Sequence, residues 1–128
     1  MKKAVFILAL FLSVSYNAQT DKDVVEKVDE IAEFKGGALE MVKYISKELK
    51  YPTSAKDNKV GGKVFIKFIV TKEGIVEKAE ILKGVENCVE CDKEALRVIS
   101  SMPKWSPAKL AGKTVSSYYN IPIKFDPA

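Results

Sequence analysis

Apolar residues recur at helical spacing in two stretches of the chain. In residues 39–49 they fall three and four positions apart, which is the spacing of one helix face. That helix has to end before Pro52, because a proline restricts the residue before it to extended conformations. A second helix is predicted to begin at Asp92, a good N-cap residue, and to end before Pro103. The apolar faces of the two helices consist of Leu39, Val42, Ile45 and Leu49 and of Ala95, Val98, Ile99 and Met102.

Alternation of apolar and polar residues predicts three strands. Residues 63–71 and 75–83 are dense in β-branched and aromatic side chains, and a turn that contains Gly74 joins them. The pattern of the second strand changes phase once, which indicates a β-bulge. A third strand is predicted at the end of the chain, after a loop over residues 104–113. The residues on one face of this strand are Val115, Tyr119, Ile121, Ile123 and Phe125.

The order helix, strand, strand, helix, strand predicts an α+β fold. A right-handed crossing of the second helix puts the third strand beside the first and antiparallel to it. The prediction is a three-stranded antiparallel sheet in the order 2-1-3, with both helices packed on one face. The third strand then lies at an edge. Pro122 agrees with this place, because a residue without an N–H is tolerated in edge strands.

The first 18 residues have the pattern of a secretory signal peptide. Lys2 and Lys3 precede an apolar run over residues 4–12, and small and polar residues follow as far as Ala18. A membrane-spanning helix needs about 20 apolar residues, so this run is short for one. Cleavage after Ala18 is favoured over cleavage after Ser15 and over retention as an anchor, which predicts an exported, periplasmic protein. Residues 19–35 then form a linker or a short amphipathic helix, and residues 36–128 form the domain.

Composition and charge argue against catalysis and against nucleic-acid binding. The chain has 128 residues, enough for one domain, and a formal net charge of +4. Its positive charges are spread along the chain and Arg97 is the one arginine, whereas nucleic-acid surfaces favour clustered arginine. The sequence contains no histidine, which removes Ser-His and Cys-His couples and the commonest transition-metal ligand. We therefore expect no enzyme activity, no cofactor, no small-molecule substrate and no nucleic-acid partner.

Cys88 and Cys91 form a C-x-x-C motif, which occurs in redox proteins, in zinc sites and as a local disulfide. One such pair without histidine is half a zinc site. A redox role requires a stabilised thiolate, but neighbouring acidic residues such as Glu90 and Asp92 favour the protonated thiol. A disulfide in an oxidising compartment is the favoured interpretation, and metal binding and thiol-disulfide exchange stay open as alternatives.

A set of residues distributed between Gly36 and Phe125 carries a family pattern. The pattern consists of Tyr51-Pro52 followed by Ala55, then Gly62, Val64, Phe68, Val70, Gly74 and Val76, and later Ala95, Leu96, Trp105, Pro107 and Gly112. It resembles the TonB carboxy-terminal domain family. The resemblance implies binding of the amino-terminal TonB box of an outer-membrane TonB-dependent receptor, or of another envelope protein, by strand addition to the last strand. It also implies that the Tyr-Pro motif lies nearby.

The predicted partner-binding residues lie in the Tyr-Pro motif and in the last strand upstream of Pro122. An exposed edge strand offers unpaired N–H and C=O groups to an incoming segment, and Pro122 offers no amide. Exchange of the same edge between two copies is a route to a homodimer. The predicted residues are Tyr51, Pro52, Ser116, Ser117, Tyr118, Tyr119 and Asn120.

The chain departs from the energy-transducing members of the family. Those proteins keep an uncleaved membrane helix and a long spacer, whereas a spacer of about 17 residues reaches at most about 60 Å. The resemblance therefore predicts a periplasmic binding module of energy-coupled transport rather than a complete transducer. A thiol-disulfide protein that uses Cys88 and Cys91 and a structural envelope protein are the alternatives.

Overall fold

A computed structural model describes residues 23–127 of the chain, so the signal peptide expected at residues 1–18 lies outside the described residues. Within the described range, no helix is long and apolar enough to cross a membrane. In chain order the elements are β1 (Val24–Val25), α1 (Ala38–Glu48), α2 (Thr53–Asp57), β2 (Gly62–Val70), β3 (Val76–Lys83), α3 (Val89–Ser100), β4 (Ala108–Leu110) and β5 (Lys113–Phe125).

The sheet has five strands and mixed pairing. The three long strands lie in the order β5-β2-β3 and pair antiparallel, and β1 adds to β5 in parallel on the side away from β2. β4 pairs antiparallel with the start of β5. The α+β class is confirmed, but the predicted sheet of three antiparallel strands is not what forms. The two additional strands have two and three residues, which is too short for alternation to reveal them.

The segment before α1 is packed against the rest of the fold. A linker or a short helix was predicted over residues 19–35, but residues 23–35 are not helical. After β1 the segment runs beside β4, and Glu33 and Ser106 exchange two backbone hydrogen bonds, of 2.9 and 2.8 Å. Ala32 and Phe34 are buried while their neighbours are exposed. This period of two belongs to an extended chain, so the segment is extended here and not helical.

The two long helices cover the same face of the sheet to different depths. Both contribute to one apolar core with the inward residues of β2 and β5. α1 buries only Met41, whereas α3 buries four residues along its length. The buried residues of α3 are Cys91, Ala95, Val98 and Ile99. The core therefore rests mainly on α3, and α1 leaves much of its apolar face uncovered.

The second predicted helix starts earlier than expected. α3 begins at Val89 with Cys88 as its N-cap, so the prediction of Asp92 as the cap was wrong. The Asp92 carboxylate instead accepts a hydrogen bond of 2.9 Å from the backbone N–H of Val85, before the helix. α2, a short helix after Pro52, was not predicted, because its five residues show no apolar period.

The turn between β2 and β3 contains Gly74 as predicted. Gly74 has φ 86°, and its C=O accepts a hydrogen bond of 2.8 Å from the backbone N–H of Trp105. A Cβ at this position would collide with the Trp105 carbonyl, so the turn needs glycine for its conformation and for this close approach. The expected bulge is confirmed by two shifts in the β2–β3 register and by the positive φ of Lys78.

Trp105 joins the N-terminal segment to the sheet. Its ring lies edge-on to those of Phe34, Phe68 and Tyr119, with centroid distances of 5.8, 5.5 and 4.9 Å. Such edge-to-face pairs add to the free energy gained from burial alone. Because Phe68 belongs to β2 and Tyr119 to β5, the cluster holds the middle of β5 in place from the helix side.

Candidate functional site

One side of β5 is open over most of its length. On the other side β5 pairs with β2 over residues 117–125. On the side away from β2, β1 covers only Ser116 and Ser117. Among residues 23–127, no strand pairs with residues 118–125 on that side. We call this open side of residues 118–125 the outer edge of β5.

The position of Pro122 shows which backbone groups face the outer edge. Pro122 lies opposite Phe65 of β2, and without an N–H it cannot take part in a pair that exchanges two hydrogen bonds. Bonded and non-bonded pairs alternate along an antiparallel ladder. Tyr118, Asn120 and Lys124 are therefore also non-bonded toward β2, and their N–H and C=O groups point to the outer edge.

The three predicted residues at the middle of β5 divide between the two faces of the sheet. Tyr119 points to the core and packs against Trp105 and Phe68. Tyr118 lies on the opposite face, where the Lys67 Nζ sits 4.2 Å from the centroid of its ring, a cation–π contact. Asn120 is exposed. Tyr118 and Asn120 thus offer both side chain and backbone to a partner, whereas the Tyr119 side chain is committed to the core.

Ser116 and Ser117 are occupied within the molecule. They lie opposite Val24 and Val25 of β1, in parallel register. The Ser116 Oγ accepts a hydrogen bond of 3.0 Å from the backbone N–H of Lys72, and Ser117 is buried. The chain's own β1 consequently occupies this side of β5 immediately upstream of the outer edge.

Tyr51 and Pro52 lie at the other end of β5. The Tyr51 ring packs edge-on to Phe125 with the centroids 5.5 Å apart, and its hydroxyl donates a hydrogen bond to the Val60 carbonyl. Partial burial raises the pKa of the Tyr51 hydroxyl, and the negative charge of Asp126 adds to this effect. Phe125 lies eight residue steps, roughly 27 Å, along the strand from Ser117, so the structure does not bring the Tyr-Pro motif and the two serines together.

A groove that sequence analysis missed lies between α1 and the outer edge of β5. Its volume is about 350 Å³. The exposed fractions of Leu39 and Val42 on α1, 69% and 55%, are high for large apolar side chains. The groove is lined by Met41, Val42, Ile45, Ser46 and Leu49 of α1 and by Ile121, Pro122, Ile123 and Lys124 of β5. We call it the α1–β5 groove. The apolar face of α1 was recognised in the sequence, but nothing there showed that part of it stays uncovered.

The position of α1 is fixed from the side of α3. The Arg97 guanidinium donates a 2.8 Å hydrogen bond to the carbonyl of Glu48, the last residue of α1, and also binds both carboxylate oxygens of Glu94. Glu94 accepts a further hydrogen bond, 2.7 Å, from the backbone N–H of Lys50. The hydrogen bond from Arg97 is the main cause that lowers the pKa of Glu94. This contact holds the end of α1 against α3, so the groove has a fixed wall.

The cysteine pair lies apart from the outer edge, at the start of α3. The Sγ atoms of Cys88 and Cys91 are 2.00 Å apart, at disulfide distance, and both residues are buried. Within residues 23–127, no group of three or more His, Cys, Asp or Glu side chains is placed to hold a metal ion. The disulfide closes a short loop over the first turn of α3, and its burial hinders attack by an external thiolate.

Comparison with known proteins relates this architecture to one family. The family model described as Gram-negative bacterial TonB protein C-terminal matches residues 47–127. An NMR solution structure of the Helicobacter pylori TonB-CTD is similar with a TM-score of 0.52 and 23% identity, covering 70% of this chain and 91% of that one. A second, longer structure of the same domain gives a TM-score of 0.51 and 22% identity, covering 69% and 78%. Comparison with curated protein sequences gave no significant match.

Proposed function

Because the chain belongs to the family of Gram-negative bacterial TonB protein C-terminal domains, we propose that it is a periplasmic module that binds an extended segment of an envelope protein on the outer edge of β5. Domains of this family are non-enzymatic, take part in TonB-dependent transport and generally interact with outer-membrane receptors. The proposed partner is the amino-terminal segment of a TonB-dependent outer-membrane receptor.

The observation that carries the proposal is the open backbone of β5. An unpaired row of N–H and C=O groups on an ordered strand binds an extended peptide with little dependence on the peptide's side chains. Asn120 supplies both groups, and Pro122 supplies a carbonyl only. Tyr118 supplies its carbonyl, because the parallel register of Val25 with Ser117 pairs the Tyr118 N–H with the Val25 carbonyl. The pairing is therefore strongest upstream of Pro122, between that residue and the end of β1.

The other predicted residues support this edge rather than line it. Tyr119 anchors the strand in the core, Ser116 and Ser117 hold β1, and Tyr51 packs against the downstream end of β5. The proposal also includes export, with residues 1–18 as the signal peptide and the disulfide of Cys88 and Cys91 formed in the oxidising periplasm.

A substitution that removes one outward amide tests the proposal. Asn120→Pro deletes an N–H that faces the outer edge, while the hydrogen bonds to β2 stay intact. Asn120→Ala keeps the amide and serves as the matched control. We expect amino-terminal receptor peptides to bind the wild-type chain and Asn120→Ala alike, and to bind Asn120→Pro about tenfold more weakly, by fluorescence anisotropy.

Two results would contradict the proposal. One is failure of every receptor peptide to bind the wild-type chain. The other is a cross-linking map in which a bound peptide touches only residues 124–128, because that would place it downstream of Pro122. A thermal melt of Asn120→Pro checks that the sheet is intact before its affinity is compared.

A further inference from the structure

The α1–β5 groove lies directly beside the outer edge, and we propose that it selects the partner by taking apolar side chains at alternate positions of the bound segment. This inference rests on the proposed function and deepens it. The backbone of β5 gives the segment a place to pair, whereas the groove distinguishes one extended segment from another. Val42, Ile45 and Leu49 are the residues of α1 that make this distinction.

The pleat of a sheet dictates which side chains of a bound segment enter the groove. Neighbouring strands present paired residues on the same face, and successive side chains of each strand alternate between faces. Ile121 and Ile123 point to the helix face and form the floor of the groove. Partner residues level with them point the same way, toward α1. The segment therefore places every second side chain in the groove and the others on the face away from the helices.

The exposure of α1 indicates that one strand is absent beneath it. An amphipathic helix is normally stabilised by burial of its apolar stripe, yet in α1 only Met41 is buried. Val42 faces the groove with 55% of its surface exposed. β1, which occupies the same side of β5, ends at Val25 and does not extend along the outer edge. A strand that continued the line of β1 would lie under this uncovered part of α1.

The position of β1 beside β5 also indicates which kind of ligand fits the α1–β5 groove. The same side of β5 already holds two consecutive valines in an extended conformation opposite Ser116 and Ser117. A helix or a compact apolar molecule could cover α1 but would leave the outward N–H and C=O groups of β5 unpaired. An extended segment satisfies both the backbone groups and the apolar wall, so the occupant is an extended peptide with apolar residues at positions i and i+2.

A selection experiment on the full chain tests this inference. A displayed library of random ten-residue peptides is enriched on the immobilised wild-type chain, and selected peptides are measured against two variants. Val42→Glu puts a charge at the groove, and Val89→Glu is the matched control, because Val89 has a similar exposure of 63% on α3 and does not line the groove. We expect apolar residues at i and i+2 in the selected peptides. Their affinity should fall about tenfold or more in Val42→Glu and stay unchanged in Val89→Glu.

The site of binding is read by NMR on the labelled chain. A selected peptide should shift the amide signals of residues 118–121 in β5 together with those of residues 42–49 in α1. If Val42→Glu fails to fold, Val42→Thr, which keeps the shape and adds a hydroxyl, takes its place and should still weaken binding.

The outcomes separate this inference from the proposed function. Receptor peptides that bind with equal affinity to wild type and Val42→Glu, or selected peptides without alternation, overturn the groove's role and leave strand binding standing. Failure to enrich any peptide also overturns it. A dimer of the wild-type chain that Val42→Glu dissociates, seen by light scattering, assigns the groove to a second copy and overturns the choice of occupant. Whether receptor peptides bind at all is measured separately, by fluorescence anisotropy with the wild-type chain, and failure of that binding would contradict the proposed function.

Discussion

Phe34→Ala tests whether the segment before α1 is part of the cooperative fold. Only 6% of the surface of Phe34 is exposed, and its ring contacts the rings of Tyr44 and Trp105 at centroid distances of 5.6 and 5.8 Å. Truncation of a buried phenylalanine lowers the free energy of unfolding by about 3–5 kcal/mol. Phe34 belongs to an extended segment outside the helices and long strands, where the surrounding structure relaxes more easily, so we expect about 3 kcal/mol.

The assay is equilibrium unfolding in urea, followed by tryptophan fluorescence. Trp105 is the only tryptophan of the chain and sits beside Phe34, so its emission reports the region directly. Ile31→Ala is the control, because Ile31 belongs to the same segment and 72% of its surface is exposed. We expect the control to change the free energy of unfolding by less than about 0.5 kcal/mol, and both variants to keep the wild-type m-value.

A loss below about 1 kcal/mol in Phe34→Ala would refute this reasoning. It would mean that residues 23–35 detach from the domain without disturbing the core, as a linker would. A large loss with a reduced m-value would instead indicate that the segment unfolds separately from the sheet.

Three further predictions concern a turn, an ion pair and the cysteines. Gly74→Ala should lower the free energy of unfolding by about 2 kcal/mol more than Gly112→Ala, which is on the order of the cost of a backbone clash. Gly112 has a similar positive φ but open space around it, so it serves as the control. Equal losses in the two variants would exclude the close approach to Trp105 as the cause. The pKa of Glu94 is lowered, so its contribution to stability is present above its ordinary pKa of 4.5 and is lost as the pH falls through the lowered value. The free energy of unfolding of Glu94→Gln, measured from pH 6 to 2, should therefore fall less steeply than that of the wild-type chain. Parallel profiles of the two proteins would contradict this prediction. Replacement of Cys88 and Cys91 by alanine should lower the free energy of unfolding by about 2 kcal/mol, the loop-closure value, and leave peptide affinity within a few-fold; loss of binding would favour a redox or metal role.

The sequence was most informative where a pattern extends over many residues. The inward face of β2, with Val64, Ile66 and Phe68, repeats every second residue, so alternation identified it before the structure did. The same holds for Ile121 and Ile123 in β5. Burial of these side chains on one face decides the register, because a slip of one residue would expose the whole set to water.

Features that depend on contacts between distant segments could not be read from local pattern. β1 has two residues, and only its pairing with Ser116 and Ser117 makes it a strand. The N-cap of α3 was misplaced, because Asp92 is a favourable cap residue by type but its carboxylate is used by Val85. The α1–β5 groove exists because β1 ends at Val25 and does not extend beside α1, and no property of the residues around Val42 in the sequence indicates this.

The outward position of Pro122 also governs how the protein behaves in concentrated solution. The last strand carries tyrosines, isoleucines and a phenylalanine, and such a segment with a continuous row of free amides is prone to stack into cross-β fibrils. Pro122 interrupts that row two residues after Asn120, and the charge of Lys124 follows two residues later, both of which are devices that protect edges from aggregation. Identical chains can therefore form only a short ladder along this edge. In the proposed mode of binding, a foreign segment adds side-chain contacts in the α1–β5 groove and is stabilised beyond that ladder. The same edge would then accept a ligand while polymerisation of the protein itself is disfavoured.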